Sequence, residues 1–127
     1  MASVLYVDDD EAVGRVISRQ LQARGHSVRV AGSIAEAQRI VVAGRPDGVL
    51  LDIWLGDGTA FDFFAWLQDN FPTMIKRVAF ITGDVTGEYP IESGNARSLS
   101  TLGCPVFGKP MDVGGVSQLL DSWTDRA

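Results

Sequence analysis

Cysteine and histidine each occur once in this chain of 127 residues, as Cys104 and His26. A lone cysteine excludes a disulfide framework and any zinc site built on paired thiolates, so Cys104 reads as a small apolar side chain. A lone histidine excludes a two-histidine metal centre and leaves a Ser-His-Asp triad only if His26 itself serves. Because it follows Gly25 in a polar turn, His26 reads as a surface residue. No apolar run approaches the roughly 18 residues that a membrane span needs. No basic flank precedes the first apolar stretch, so no signal peptide is legible and a cytoplasmic location is expected. Basic residues are also in the minority, 11 against 16 acidic for a net charge of −5, with no cluster longer than Lys76-Arg77. Neither nucleic acid nor a membrane is therefore an expected partner. Repeats, linkers and low-complexity tracts are absent.

What is present suits one globular domain. Apolar residues make up 46% and charged residues 21% of the chain, and a chain of this length buries about two thirds of its unfolded surface. Short β-rich runs recur at Val4 to Val7, Val28 to Ala31, Val49 to Leu51, Val78 to Ile81 and Pro105 to Phe107. Runs such as Val49-Leu50-Leu51 lack in/out alternation, which suits strands covered on both faces of a parallel sheet. Helical patterns separate them, giving an α/β domain.

A first helix is expected from about Asp10 to Arg24, with Val13, Val16, Ile17 and Leu21 inward and Gly25 as its stop. The second opens on the capping pattern Ser33-Ile34-Ala35-Glu36 and stops at Gly44. The third spans about Thr59 to Asn70, with Phe61, Phe64, Ala65 and Leu67 inward, and Phe63 and Trp66 widening the apolar surface. Between Gly83 and Gly103, glycine, proline and serine leave room for one short helix near Asn95 to Leu102, in what should be the most mobile segment. Val116, Leu119, Leu120 and Trp123 mark the last helix.

The carboxylates carry the chemistry. Asp8, Asp9 and Asp10 close the first strand, and crowded carboxylates about 4 Å apart repel by roughly 4 kcal/mol per pair at an effective dielectric near 20. A hard divalent cation is the natural companion, although Asp8 or Asp10 is also a candidate N-cap for the first helix. In a parallel α/β sheet the carboxyl ends of the strands converge on one crevice. Asp8 and Asp9, then Asp52, then Thr82, then Lys109 sit at such ends. Together they fit phosphoryl transfer to a side chain. Asp52 is placed to attack phosphorus and hold an acyl phosphate. Asp8, Asp9 and one Asp52 oxygen would hold Mg²⁺. Lys109 offers a mobile positive charge to one phosphoryl oxygen, and Thr82 with the Gly83 backbone N–H offers hydrogen bonds to another.

These pieces, Val-Leu-Tyr-Val-Asp-Asp-Asp at 4–10, Gly-His-Ser-Val at 25–28, Val-Leu-Leu-Asp-Ile-Trp-Leu at 49–55, Ile-Thr-Gly-Asp at 81–84 and Phe-Gly-Lys-Pro at 107–110, resemble the receiver family of bacterial two-component signalling. The resemblance implies a flavodoxin-like (βα)5 fold over residues 1–127, a doubly wound five-stranded parallel sheet in the order 2-1-3-4-5. It implies Asp52 as phosphoacceptor, Asp8 and Asp9 as the acidic pair, Thr82 as the switch hydroxyl and Lys109 as the phosphate-contacting lysine. The Trp54 carbonyl becomes a metal ligand, and a cis peptide joins Lys109 to Pro110.

Two departures bear on function. Gly56 stands where many members have proline, which loosens the loop after Asp52. Val106 occupies the place of the usual switch aromatic, and Phe107, one position later, should point to the opposite face as a core residue. Trp54 is also large for a rim position; its indole would shield an acyl phosphate from water.

The leading expectation is a phosphorylation-controlled binding module, not an enzyme in its own right. A histidine kinase or a histidine phosphotransfer protein would supply phosphate to Asp52. The surface around the fourth helix and fifth strand would then change for an unknown output protein. A free-standing receiver, or one cut from a longer protein, acting as monomer or weak homodimer, is expected. The competing readings are a degenerate receiver that signals by binding alone, a Mg²⁺-dependent phosphatase like the haloacid dehalogenases, and a flavin carrier.

Overall fold

A computed structural model of the chain describes residues 2–82, 88–90, 96–98, 104–108 and 112–124, with the backbone alone at Trp54, Thr82, 88–90 and 96–98. The elements run β1 (Ser3–Val7), α1 (Glu11–Gln22), β2 (Ser27–Ala31), α2 (Ile34–Ala43), β3 (Gly48–Leu51), β4 (Trp54–Leu55), β5 (Gly58–Thr59), α3 (Ala60–Asn70), a 3₁₀ segment (Pro72–Arg77), β6 (Val78–Thr82), β7 (Glu88–Pro90), β8 (Ala96–Ser98), β9 (Val106–Gly108) and α4 (Val113–Thr124).

Five strands form one parallel sheet in the order β2-β1-β3-β6-β9. Counting only these strands, that is the order 2-1-3-4-5. Alternation along each strand divides its side chains between two layers. Leu5, Val7, Val49, Leu51 and Phe80 join Ala37 and Val41 of α2 and Phe61, Phe63, Phe64 and Leu67 of α3. On the other face, Val4, Tyr6, Leu50, Ala79 and Ile81 join Ile17 and Leu21 of α1 and Val116, Leu120 and Trp123 of α4. Both faces are covered, which explains the unbroken apolar run of β3, where all four residues are buried. Gly48 opens that strand because a Cβ there would strike the ring of Trp123 and lie 2.7 Å from the Arg77 carbonyl oxygen.

The helix faces differ in two places from the pattern read in the sequence. Val16 is 53% exposed. The inward stripe of α1 is Gly14, Ile17 and Leu21, so Val16 lies a quarter-turn off it. In α3 the buried stripe is Ala60, Phe63, Phe64 and Leu67 with Phe61, and Ala65 is exposed. A third correction concerns the segment before β9. Residues 96–98, expected to be helical, form β8, which pairs antiparallel with β7. Ser, Pro and Gly in this stretch are poor helix formers, and Tyr89 suits a strand. Among the described residues no helix lies between β6 and β9.

His26 is also corrected. It is 4% exposed rather than on the surface. Its Nδ1 accepts from the Ala2 backbone N–H at 3.1 Å, which leaves the proton on Nε2 to donate to Ser117 Oγ at 2.9 Å. The turn residues Arg24, Gly25 and Ser27 are exposed, and the His26 side chain alone is tucked against Ser117 of α4. Cys104 is half-buried against the α2/α3 layer, and burial pushes its thiol up to about 11. It behaves there as an apolar side chain.

Candidate functional site

β1 and β3 lie side by side with Val7 opposite Leu51, so the residues that follow each strand emerge together. The ladder continues one step beyond the strands, because the Asp52 N–H donates to the Val7 carbonyl at 2.9 Å and the Asp8 N–H to the Ala31 carbonyl at 3.0 Å. One carboxylate oxygen from each of Asp8, Asp9 and Asp52 lies within 4.8 Å of the others. The three candidates drawn from the sequence therefore meet.

Their surroundings differ. Asp8 is 1% exposed. Its Oδ2 accepts from the Tyr6 phenol O–H at 2.7 Å, and its Oδ1 accepts from the Asp10 N–H at 3.0 Å. Asp9 is exposed and Asp52 half-buried, with Asp52 Oδ1 accepting from the Ile53 N–H at 2.9 Å. Asp10 points away from this group and caps α1, accepting from the N–H groups of Ala12 at 3.0 Å and Val13 at 3.2 Å. Burial, then the hydrogen bond to Asp8, then the charges of Asp8, Asp52 and Asp10 hold the Tyr6 phenol far above its usual pKa, so it remains a donor. A cleft of about 240 Å³, lined by Asp8, Glu11, Arg15, Val30, Gly32 and Glu36, opens beside the acidic pair.

The donor set is oxygen only, anionic and confined to a few ångströms. Asp8 and Asp52, no more than 4.8 Å apart at their nearest oxygens, repel by at least roughly 3 kcal/mol at an effective dielectric near 20. Hard divalent cations that favour carboxylate oxygen and retain waters fit this set, and soft thiolate-seeking metals do not.

After Asp52 the chain makes a structure that the sequence pattern did not reveal. β4 and β5 form a hairpin, Trp54 opposite Thr59 and Leu55 opposite Gly58, and the Ala60 N–H donates to the Ile53 carbonyl at 2.8 Å. Asp57 at its tip reaches the start of α2, accepting from the N–H groups of Ile34 at 2.9 Å and Ala35 at 3.1 Å. Those backbone bonds hold the Asp57 carboxyl below the usual carboxylate range. Gly58 has φ +150°, and a Cβ there would lie 2.7 Å from Asp62 Oδ2 and 2.8 Å from Ile34 Cδ1. The hairpin thus rests on α2 and α3 through a residue without a side chain.

Thr82 closes β6, its backbone opposite Gly108 of β9, at the same edge of the sheet as Asp52. Gly83, Lys109 and Pro110 lie outside the described residues, as does most of the segment 83–103. On β9, Val106 packs toward the α2/α3 layer and Phe107 toward the α1/α4 layer. Phe107 is thus a packing residue on the face opposite to that of Val106.

Two participants escaped the sequence reading. Tyr6 was legible in principle, since residues i and i+2 share a strand face and a tyrosine two places before Asp8 can reach it. Asp57, inside Gly56-Asp57-Gly58, had only the signal of a turn.

Residues 4–102 match the response regulator receiver domain family. RegA of Rhodovulum sulfidophilum, a photosynthetic apparatus regulatory protein, is 32% identical over 118 residues, covering 93% of this chain and 61% of that protein. ActR of Sinorhizobium medicae, an acid tolerance regulatory protein, is 40% identical over 60 residues, which is 47% of this chain and 31% of that protein. The chain spans less than two thirds of the length of these relatives. Among solved structures, a response regulator receiver domain protein from Clostridium thermocellum aligns with a TM-score of 0.78 at 21% identity, covering 99% of this chain and 96% of that one. The Francisella response regulator 1452 receiver domain aligns with a TM-score of 0.77 at 17% identity, covering 97% and 96%. At such identities the structures speak to fold alone, but the sequence match extends over most of the residues that build the sheet and its acidic edge. This chain belongs to the response regulator receiver domain family.

Proposed function

We propose that Asp52 accepts a phosphoryl group from a phosphohistidine on a partner protein, and that the phosphorylated chain rebalances between two conformations read by an output protein. The observation that carries this reading is the meeting of Asp8, Asp9 and Asp52 within 4.8 Å at the carboxyl ends of adjacent central strands. In the transfer, an Asp52 carboxylate oxygen forms the new O–P bond. The P–N bond of the donor breaks and its electron pair stays on the imidazole nitrogen, which leaves. Asp8, Asp9 and Asp52, with the Trp54 carbonyl, would hold Mg²⁺, which when bound neutralises charge on the phosphoryl oxygens. Asp52 is held by its backbone N–H bond to the Val7 carbonyl and by the Ile53 N–H, which donates to its Oδ1. Thr82, the Gly83 N–H and Lys109 are assigned to the phosphoryl oxygens. A histidine kinase or a histidine phosphotransfer protein is the donor in this reading.

The surface that changes includes β9 and the β7–β8 hairpin, in place of the helix expected there. With Val106 at the family's aromatic position, rotation of an aromatic ring at that point is not the signal. Incubation with Mg²⁺ and a small acyl phosphate, followed by intact mass, tests the proposal. A gain of one phosphoryl group in the wild type and none in Asp52→Asn supports it. No gain in the wild type would assign the chain to signalling by binding alone.

A further inference from the structure

The Tyr6 hydroxyl has no role in packing. Tyr6 is fully buried on β1 in the layer that contains Ile17, Leu50, Ile81 and Val116. A phenylalanine would fill that volume without bringing a polar group into it. A buried phenol destabilises the fold unless it is hydrogen-bonded. Here it donates at 2.7 Å to Oδ2 of Asp8, itself 1% exposed. The other Asp8 oxygen accepts the Asp10 N–H at 3.0 Å. One donor rises from the core and the other comes from the loop above, and between them they fix the carboxylate in rotation and in position.

We propose that Tyr6 is a positioning residue for the cation site: its hydroxyl holds the Asp8 carboxylate in the orientation in which it meets Asp9 and Asp52. The inference rests on the reading that these three carboxylates bind Mg²⁺. Its physical basis is preorganisation: a carboxylate already held by two donors loses less rotamer freedom when a cation arrives. Outer partners of ligating carboxylates typically contribute about 10–100-fold to metal affinity.

The test is calorimetric titration of the whole chain with Mg²⁺ alone, without phosphoryl donor. Tyr6→Phe, which keeps the ring and removes the hydroxyl, should bind Mg²⁺ about 10-fold or more weakly. In an Asp8→Asn background the same change should add little, because the hydroxyl acts through Asp8. The two tyrosines, Tyr6 and Tyr89, can also be labelled with fluorine, which needs no loss of the hydroxyl. The Tyr6 resonance, assigned by its absence in Tyr6→Phe or by the retained signal in Tyr89→Phe, should shift as Mg²⁺ saturates. Wild-type affinity in Tyr6→Phe, full additivity with Asp8→Asn, or a Tyr6 signal indifferent to Mg²⁺ would overturn the inference while leaving the cation site standing. Absence of Mg²⁺ binding by the wild type would instead overturn the cation site and this inference with it.

Discussion

Asp8, Asp9 and Asp10 share one side chain and are used in three ways, because backbone geometry at the end of β1 sends each in its own direction. Asp8 turns back to the core and Tyr6, Asp9 stays in solvent beside Asp52, and Asp10 caps α1. The capping role is separable from the others. Asp10→Ala should lower the free energy of unfolding by about 1 kcal/mol in a urea titration, and Asp10→Ser, which restores an acceptor, should recover most of it. A loss that serine does not recover would mean that the carboxylate charge, rather than the cap, is what α1 needs. The acidic group at the strand end was legible because three carboxylates after an apolar run have no packing use. His26 was not, because its burial depends on α4 lying across the start of β1 and β2, a contact that no local pattern encodes.

Among the elements, the β4–β5 hairpin sets how the segment after Asp52 is held. Gly56 removes the rigidity that a proline would supply, and the Asp57 bonds to the first N–H groups of α2 provide a different anchor. Asp57→Ala should lower stability by about 1 kcal/mol, the usual contribution of an N-cap. The sign with pH follows from the depressed folded pKa of Asp57. Its contribution is complete above the unfolded carboxyl value of about 4 and is lost as pH falls through the folded value, so the alanine variant should show a shallower acid-side decline in thermal unfolding. An identical decline in both proteins would remove Asp57 from that role. Strands of four and five residues between amphipathic helices were readable from composition and spacing, whereas their order in the sheet followed only from the family resemblance. The two-residue strands β4 and β5 are too short to show alternation. Residues 96–98 were assigned to a helix for want of any stronger signal, where cross-strand pairing with 88–90 decides the outcome.

For the molecule as a whole, winding helices on both faces of one parallel sheet buries the strands and leaves their carboxyl ends as the place where unlike residues meet. At the opposite end of the sheet, His26 links the start of β1 to α4 through Ala2 and Ser117. Burial, assisted by Arg24 and opposed by Asp121, lowers its pKa in the folded state. The folded chain therefore takes up that proton less readily than the unfolded chain. The His26 contribution is complete above the unfolded value of about 6.5 and is lost as pH falls toward and through the lower folded value. The melting temperature of the wild type should fall as pH drops across that window, and His26→Gln should flatten the trend; a wild-type melting temperature that is constant there would contradict the assignment.

In the proposed transfer the oxygen that forms the new bond to phosphorus belongs to Asp52, and identifying the modified residue tests this. After incubation with Mg²⁺ and a small acyl phosphate, borohydride reduces an aspartyl phosphate to homoserine, and tandem mass spectrometry of the peptides locates it. The account predicts homoserine at position 52 and at no other aspartate, with none formed when Mg²⁺ is chelated beforehand. Homoserine at position 8 or 9, or phosphoryl transfer undiminished by chelation, would contradict it.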